Sequence, residues 1–195
     1  MIGLHLILAP VLLLPIVWLL RFTGCTSFSA SSSGDSIRRI NCGGPLLAAD
    51  AGETKGWDAD IGKGGVAGTI DPGKSITVPT GKNATDSAIK IYETWREGST
   101  FSYEFTVDNE GDYKVILKFA VIKNNPNYST LLFRVSVNGS ATTNIEPPLM
   151  GLFKVYDLPL AVKVDATKKI TIAFEGGSNV SGTFAFVNAI EIATA

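Results

Sequence analysis

Residues 101–121 read FSYEFTVDNEGDYKVILKFAV, and this stretch decides the fold class. On both sides of the polar turn NEGD, at residues 109–112, apolar and polar residues alternate one by one. This is the period of a strand that buries one face, whereas a helix would space its apolar residues three and four apart. The stretch therefore predicts two consecutive β-strands joined by a short turn.

Other stretches have the same character. Residues 133–137 alternate and run into Asn138-Gly139, a pair typical of hairpin turns. Residues 170–174 alternate again, and residues 184–192 form a predicted closing strand. The chain also has 20 glycines and 9 prolines and no clean helical pattern after its N-terminus. We therefore predict an all-β fold, a β-sandwich of the jelly-roll type in a single domain.

The N-terminus is predicted to be a targeting segment. Residues 4–20 are almost wholly apolar and are closed by Arg21, before a serine-rich stretch. We assign residues 1–30 to a signal peptide, residues 31–37 to a linker and residues 38–195 to the domain. An uncleaved signal-anchor is the alternative, and only then would the chain contact a membrane. We expect the protein in the secretory pathway, outside the cell or in the lumen of the endoplasmic reticulum.

Potential glycosylation sites agree with a secretory route. Four Asn-X-Ser/Thr triplets follow the signal-like start, and such triplets are acceptors for N-linked glycans in secreted proteins. Their ordinary alternative is that asparagine, serine and threonine are common turn residues. The four predicted acceptors are Asn83, Asn127, Asn138 and Asn179.

The composition excludes several functions. The net charge is −1 and the basic residues are scattered, so nucleic acid is not an expected partner. The only histidine, His5, lies in the predicted signal, which leaves no histidine for a Ser-His or Cys-His site or for zinc. After cleavage Cys42 would be the single cysteine, which excludes a disulfide-linked scaffold. We expect no catalysis and no cofactor; a structural Ca²⁺ held by Asp58 and Asp60 is the alternative.

Candidate ligand residues lie in the loops. Residues 50–74 are rich in glycine and aspartate and contain Trp57, and Tyr92 and Trp95 stand close to a predicted strand end. Sugar rings lie flat on aromatic side chains while their hydroxyls bond to nearby polar groups, so such loops are typical of a carbohydrate site. Tyr128 is a fourth candidate. Core packing is the alternative for each ring, and it is strongest for Trp95.

The motifs INCGGP, YETWREG, GDYKVILKFA, FRVSVNG and VNAIEI occur in an order and spacing that resemble the malectin family, from about Arg39 to Ile192. The resemblance implies a jelly-roll carbohydrate-binding fold, with an oligosaccharide or the glycan of a glycoprotein as partner. Animal malectin recognises α-linked diglucose, and plant relatives form the ectodomains of receptor kinases. INCGGP is then the first strand turning into a ligand-side loop, with Cys42 as a buried apolar residue.

The resemblance also suggests individual residues. Tyr92 and Arg96 match the tyrosine and the arginine of a YQTER-like motif that contributes to sugar contacts in animal malectin. Lys123-Asn124 stand where that protein has a Tyr-Phe pair that sandwiches sugar. This difference argues against diglucose specificity and leaves a different glycan or a protein ligand open. We expect Tyr92 and Trp57 as ring platforms. The expected hydrogen-bonding partners are Asp60, Arg96, Lys123, Asn124 and Asn125.

Two other functions stay open. An extracellular protein-interaction or structural module that has lost sugar binding is the main alternative, with another extracellular protein as partner. A glycoside hydrolase that uses a pair of carboxylates is a third hypothesis. Asn188 lies on the apolar face of the predicted closing strand, where its amide is expected to tie down a neighbouring loop.

Overall fold

The protein is represented by a computed structural model that describes residues 36–50, 55–69, 87–121, 132–140, 143–146, 154–177 and 184–195. All of these lie in one compact unit that spans residues 32–195. The predicted signal segment lies outside the described residues, and the first strand begins at Ser36, within the predicted linker. None of the described helical residues forms a segment long and apolar enough to cross a bilayer.

Within these ranges the chain is built almost wholly from strands. In chain order the elements are β1 Ser36–Asn41, β2 Val66–Thr69, α1 Ser87–Lys90, β3 Thr94–Gly98, β4 Thr100–Thr106, β5 Gly111–Ala120, β6 Phe133–Val137, β7 Thr143–Ile145, β8 Val155–Val164, β9 Lys169–Gly176, β10 Ala185–Val187 and β11 Ala189–Thr194.

The strands form three antiparallel sheets. The first has the order β1-β11-β5-β8, the second β4-β9-β6-β7, and a small third sheet has the order β10-β3-β2. Alternate residues of β4, β5, β6 and β9 are buried in a shared apolar core, including Tyr103 on β4, Leu117 on β5 and Phe174 on β9. The predicted all-β sandwich is confirmed, because period-two strands bury one face only when a second sheet covers it.

The stretch at residues 101–121 forms β4 and β5, as its alternation predicts. The two strands do not pair with each other: β4 pairs with β9, while β5 pairs with β11 and β8. The turn at residues 107–110 therefore carries the chain from one sheet of the sandwich to the other. The turn at Asn138-Gly139 is also confirmed, since both residues have positive φ, 50° and 68°, as a type I′ turn requires.

The predicted single closing strand is wrong in one respect, because it is divided at Asn188 into β10 and β11. The Asn188 amide is fully buried. Its Oδ1 accepts the amide of Ala120 at 2.7 Å, and its Nδ2 donates to the carbonyls of Thr94 and Tyr92 at 2.8 and 3.2 Å. One side chain thus joins the third sheet to β5 and holds the segment before β3, which agrees with its predicted structural role.

Candidate functional site

Backbone pairing places Trp57 beside the first sheet. Leu47 and Trp57 exchange two backbone hydrogen bonds of 2.9 Å, and Asp58 donates its amide to the carbonyl of Arg39 at 2.8 Å. The loop predicted to carry ligand residues is therefore fastened to β1 around Trp57. The same loop is fastened again at Lys63, which exchanges backbone hydrogen bonds with Ser102 on β4.

The indole of Trp57 is buried rather than open, with 3% of its surface exposed. The Arg39 guanidinium lies 5.5 Å and the Lys118 ammonium 5.9 Å from the ring centroid, both within cation–π range. Its Nε1 has no hydrogen-bond partner within the part of the chain that the structure describes. The predicted platform role for Trp57 does not fit this arrangement, because protein groups cover the ring on which a sugar would have to lie.

Tyr92 is likewise buried, with 4% of its surface exposed, so its ring is not open for stacking either. It lies in the turn after α1, where its amide donates to the Ile89 carbonyl at 3.0 Å. Its hydroxyl donates to Oδ1 of Asp157 on β8 at 2.6 Å. Burial and the neighbouring Asp157 carboxylate raise the pKa of the Tyr92 phenol well above its usual value, so the phenol acts as a hydrogen-bond donor.

Charged side chains form a line across the outer face of the first sheet. Nζ of Lys118 on β5 donates to Oδ2 of Asp157 at 2.7 Å and lies 3.7 Å from Oε2 of Glu191 on β11. Glu191 in turn pairs with Arg39 on β1 at 3.2 Å. The signs alternate from strand to strand, so each charge is neutralised by its neighbour. We call these four residues together with the Tyr92 hydroxyl the polar line.

Asp60 and Arg96 form a second, separate cluster with Tyr103. Nε and NH2 of Arg96 donate to Oδ2 of Asp60 at 2.8 and 2.6 Å, and the Tyr103 hydroxyl donates to Oδ1 at 2.9 Å. The amides of Gly43 and Gly62 donate to the same carboxylate at 2.7 and 2.9 Å. Burial by itself would raise the pKa of Asp60, but these five hydrogen bonds together outweigh it and lower the pKa.

The Asp60 cluster has a structural role in this arrangement. The side chains of Asp60 and Arg96 are only 9% and 15% exposed, and Arg96 also donates to the carbonyl of Gly64. Five hydrogen-bond donors already contact the two oxygens of the Asp60 carboxylate. These oxygens are therefore not free to bind Ca²⁺ together with Asp58, which was the predicted alternative. Nowhere in the described ranges do three or more potential metal ligands come together.

Tyr156 was missed by the sequence analysis. It is the one large aromatic side chain among the described residues that is substantially exposed, at 41%. It stands opposite Phe119 in the β5–β8 register, and the two rings are roughly parallel with centroids 6.4 Å apart. Phe119 contacts Phe133 and Phe186 in turn. Tyr156 is thus the open end of a packed aromatic row, and a rigidly supported ring is suited to stacking.

Tyr156 and Asp157 lie side by side at the start of β8, which is an edge strand of the first sheet. Neighbouring residues of a strand point to opposite faces. The ring of Tyr156 therefore packs on the inner face, while Asp157 joins the polar line on the outer face. No strand was predicted here, because Pro159 and the mixed exposure of an edge strand obscure the alternation of VYDLPLAVKV. The site could have been recognised from the pair Tyr156-Asp157, an aromatic residue followed by an acid. The pair lies just before Pro159, and proline within a strand is typical of an edge strand.

Of the other predicted site residues, Trp95 and Asn138 are described by the structure and the rest are not. Trp95 is buried with 6% of its surface exposed, which confirms its core role. Asn138 is described, and its Oδ1 accepts the Thr171 amide at 2.7 Å; its glycosylation stays a prediction. The predictions that lie outside the described residues concern Lys123, Asn124, Asn125, Tyr128, Asn83, Asn127 and Asn179.

Comparison with known protein families identifies a matching family model. A model of the malectin domain matches residues 36–146, more than half of the chain. No curated protein sequence matches. The matched segment includes Trp57, Asp60, Tyr92 and Arg96, but ends before β8 and therefore before Tyr156.

Solved structures show the same fold. The extracellular domain of ANXUR1 from Arabidopsis thaliana is 19% identical with a TM-score of 0.64, covering 80% of this chain and 47% of that one. The plant peptide RALF23 in complex with FER and LLG2 contains a chain that is 20% identical, with a TM-score of 0.65 and coverages of 80% and 48%. A β-glucuronidase from Bacteroides uniformis is 19% identical, with a TM-score of 0.59 and coverages of 81% and 18%. This chain thus spans about half the length of the plant chains it matches.

Proposed function

The chain belongs to the malectin domain family, and on that premise we propose that it is a non-catalytic carbohydrate-binding domain of the secretory pathway. Its ligand would be an oligosaccharide or the glycan of a glycoprotein. The β-glucuronidase that shares the fold corresponds to this chain over only 18% of its length, so it does not favour an enzymatic role.

The observation that carries the proposal is the position of Tyr156 at the first residues of β8, beside Asp157. A carbohydrate site needs an exposed, supported ring for the C–H face of a sugar and fixed polar groups for its hydroxyls. Tyr156 offers the ring on the inner face, and the carboxylate of Asp157, whose side chain is 38% exposed, offers an acceptor on the outer face. Because β8 is an edge strand, an oligosaccharide that crosses this edge would contact both. Tyr92 and Lys118 hold that carboxylate in place through hydrogen bonds of 2.6 and 2.7 Å.

The proposal changes the role of Tyr92 from platform to support. Its hydroxyl orients Asp157, and its ring is part of the core. Lys123, Asn124 and Asn125 follow the end of β5 in the sequence and stay proposed as hydrogen-bonding partners at this end of the β5–β8 pair.

A glycan array of the secreted chain tests the proposal, with Tyr156→Ala as the site variant and Leu46→Ala as its control. Leu46 is 66% exposed in a different loop, so its truncation also removes an exposed apolar side chain. We expect binding that Tyr156→Ala weakens by about tenfold or more and that Leu46→Ala leaves unchanged. Binding that survives Tyr156→Ala would refute the placement of the site.

Signal cleavage and glycosylation are tested on the same preparation of the secreted chain. Intact mass and peptide mapping give the N-terminus and the occupancy of Asn83, Asn127, Asn138 and Asn179. A count of thiols in denaturant adds a second readout, because cleavage after Ser27 to Ala30 removes Cys25 and leaves Cys42 alone. Two thiols per chain would support the uncleaved anchor instead.

A protein-interaction module is the second candidate. The burial of Trp57, Tyr92 and Trp95 favours this candidate. These three rings were predicted to be possible ligand contacts, but they are too buried for a sugar to stack on them. The relative FER has been solved in complex with the plant peptide RALF23 and LLG2. In this case the array would show no glycan bound, while exposed apolar side chains such as Leu46 and Ile61 would contact a protein partner.

A further inference from the structure

A depression of about 440 Å³ opens beside the third sheet, away from Tyr156. It lies between β2, the end of β3, the start of β4 and Phe184. Its volume falls in the range of small-molecule sites in proteins, about 300–1,000 Å³. Neither the polar line nor the Asp60 cluster contributes a side chain to it.

The floor of the depression is bare backbone. A Cβ on Gly98 would lie 2.7 Å from the Cα of Gly65, and a Cβ on Gly65 would lie 2.4 Å from the carbonyl oxygen of Glu97. Gly65 also has a φ of +67°, which residues with a side chain rarely adopt. Gly65 and Gly98 are therefore required where the residue before β2 meets the end of β3, and the depression is closed here by backbone in close contact.

Glu97 is the charged group of the depression. In the sheet register it stands between Val66 on one side and Phe186 on the other. Phe186 is buried and Val66 is 62% exposed, so Glu97 lies at the boundary between core and solvent. Its carboxylate makes no ion pair or hydrogen bond with the described residues, and the adjacent Arg96 is committed to Asp60.

The remaining walls define the class of ligand. Val66 and the half-buried ring of Phe184 present apolar surface, while Ser99 and Thr100 are exposed and contribute hydroxyls. Apolar surface beside one acceptor and two hydroxyls matches a neutral polyhydroxylated ring, which offers C–H faces and O–H donors. A lone cation is a poorer match, because one exposed ion pair contributes little to affinity.

We propose that this depression is a second saccharide-binding site, distinct from the one at Tyr156. The inference rests on the proposed function, since it assigns the same class of ligand to another surface. Strand β3 separates the two sites: Tyr92, which supports Asp157, precedes Thr94, and the depression lies at Gly98. At about 3.3 Å per residue, β3 alone spans roughly 13 Å between these points.

The test is a nuclear magnetic resonance titration of the ¹⁵N-labelled chain with maltose, cellobiose and N-acetylglucosamine. Acetyl-lysine amide serves as the cationic probe. With at least one saccharide we expect shifts of the amides of Gly65 and of Glu97 to Thr100. Glu97→Ala should weaken this binding by about tenfold, and Glu97→Gln, which keeps the shape, by less. Glu110→Ala, an exposed acid in the β4–β5 turn, should have no effect.

Each outcome has one meaning. Saccharide shifts around Tyr156 and Asp157 with none at Glu97 to Thr100 overturn the second site and leave the proposed function intact. Shifts at Glu97 to Thr100 caused only by acetyl-lysine amide also overturn it. Saccharide shifts only at Glu97 to Thr100 support the second site and reject the placement at Tyr156. No saccharide shift at either site rejects this inference, and a glycan array without binding then rejects the proposed function as well.

Discussion

The hydroxyl of Tyr92 donates a hydrogen bond of 2.6 Å to Oδ1 of Asp157, 65 positions later in the chain. This contact joins the turn after α1 to the edge strand β8. It also fixes the carboxylate on the outer face of β8, next in sequence to Tyr156, whose exposed ring belongs to the proposed site. The malectin resemblance implies Tyr92 as a ligand contact, whereas its buried ring and this hydrogen bond fit the proposed role of positioning Asp157.

Tyr92→Phe removes this hydrogen bond and leaves the ring in place. Because the acceptor is a charged and partly exposed carboxylate, we expect a loss of about 1–2 kcal/mol in the free energy of unfolding. Denaturant unfolding measures it. The matched variant is Tyr156→Phe, whose hydroxyl has no hydrogen bond with the described residues, and it should change stability by less than about 0.5 kcal/mol. Equal effects of the two substitutions would contradict the assigned role of Tyr92.

Asp60→Asn removes the charge that neutralises Arg96. Both side chains are largely buried, and loss of one partner of such a pair costs about 3 kcal/mol at neutral pH. The control is Asp112→Asn, an exposed acid at the start of β5. Thermal or denaturant unfolding that shows the same small change for both variants would argue against a structural ion pair.

The Asp60 pair also has a defined pH dependence. Since the pKa of Asp60 is lowered in the folded chain, its stabilising contribution is fully present above the unfolded pKa, about 4. It is lost as the pH falls through the lower folded pKa. The stability difference between the native chain and Asp60→Asn should therefore be constant from pH 7 to 5 and shrink below pH 4. A difference that grows on acidification would contradict the sign of this shift.

Asn188→Ala removes three hydrogen bonds to backbone groups, the amide of Ala120 and the carbonyls of Thr94 and Tyr92. We expect a loss of about 3 kcal/mol or more, because each unsatisfied buried group costs about 1–3 kcal/mol. Hydrogen exchange should show faster opening of β3 and of the end of β5. Asn144→Ala, at an exposed position of β7, is the control and should have little effect.

Gly43→Ala tests the INCGGP turn. A Cβ at Gly43 would lie 1.9 Å from the carbonyl oxygen of Trp95, and its φ is +73°. Gly139 has a similar φ of +68° with open space around it, so Gly139→Ala measures the backbone cost alone, about 1–2 kcal/mol. Gly43→Ala should cost about 3 kcal/mol or more, because the clash adds to it. If the two variants unfold at the same denaturant concentration, the close approach to Trp95 is not rigid.

Much of the fold was predictable because its signals are local. The alternation in β4, β5, β6 and β9 and the turn at Asn138-Gly139 need only a few neighbouring residues to specify them. Strand β8 was not predictable in this way, because an edge strand has mixed exposure and Pro159 interrupts the pattern. The candidate site was not predicted for the same reason, because Tyr156 and Asp157 belong to that strand.

The predicted ring platforms show that local sequence composition does not determine whether an aromatic ring is exposed. Trp57 and Tyr92 occur in a glycine-rich loop and near a strand end, and both settings are compatible with an open ring. Their burial depends on contacts with residues far away in the chain, Arg39 and Lys118 for Trp57 and Asp157 for Tyr92. The pairing of Asp60 with Arg96 across 36 positions is of the same kind.

By itself the sequence determined that this protein is an all-β sandwich with an ordered set of malectin-like motifs, because strand periodicity and turn chemistry are properties of short segments. Only the tertiary structure decided which sheet each strand joins, that Asn188 divides the closing strand, and that, among the described residues, Tyr156 is exposed whereas Trp57 and Tyr92 are buried. The physical reason is that exposure of a side chain depends on which distant segments pack against it. Hydrogen bonds and ion pairs between such segments select one arrangement among those that the local pattern allows.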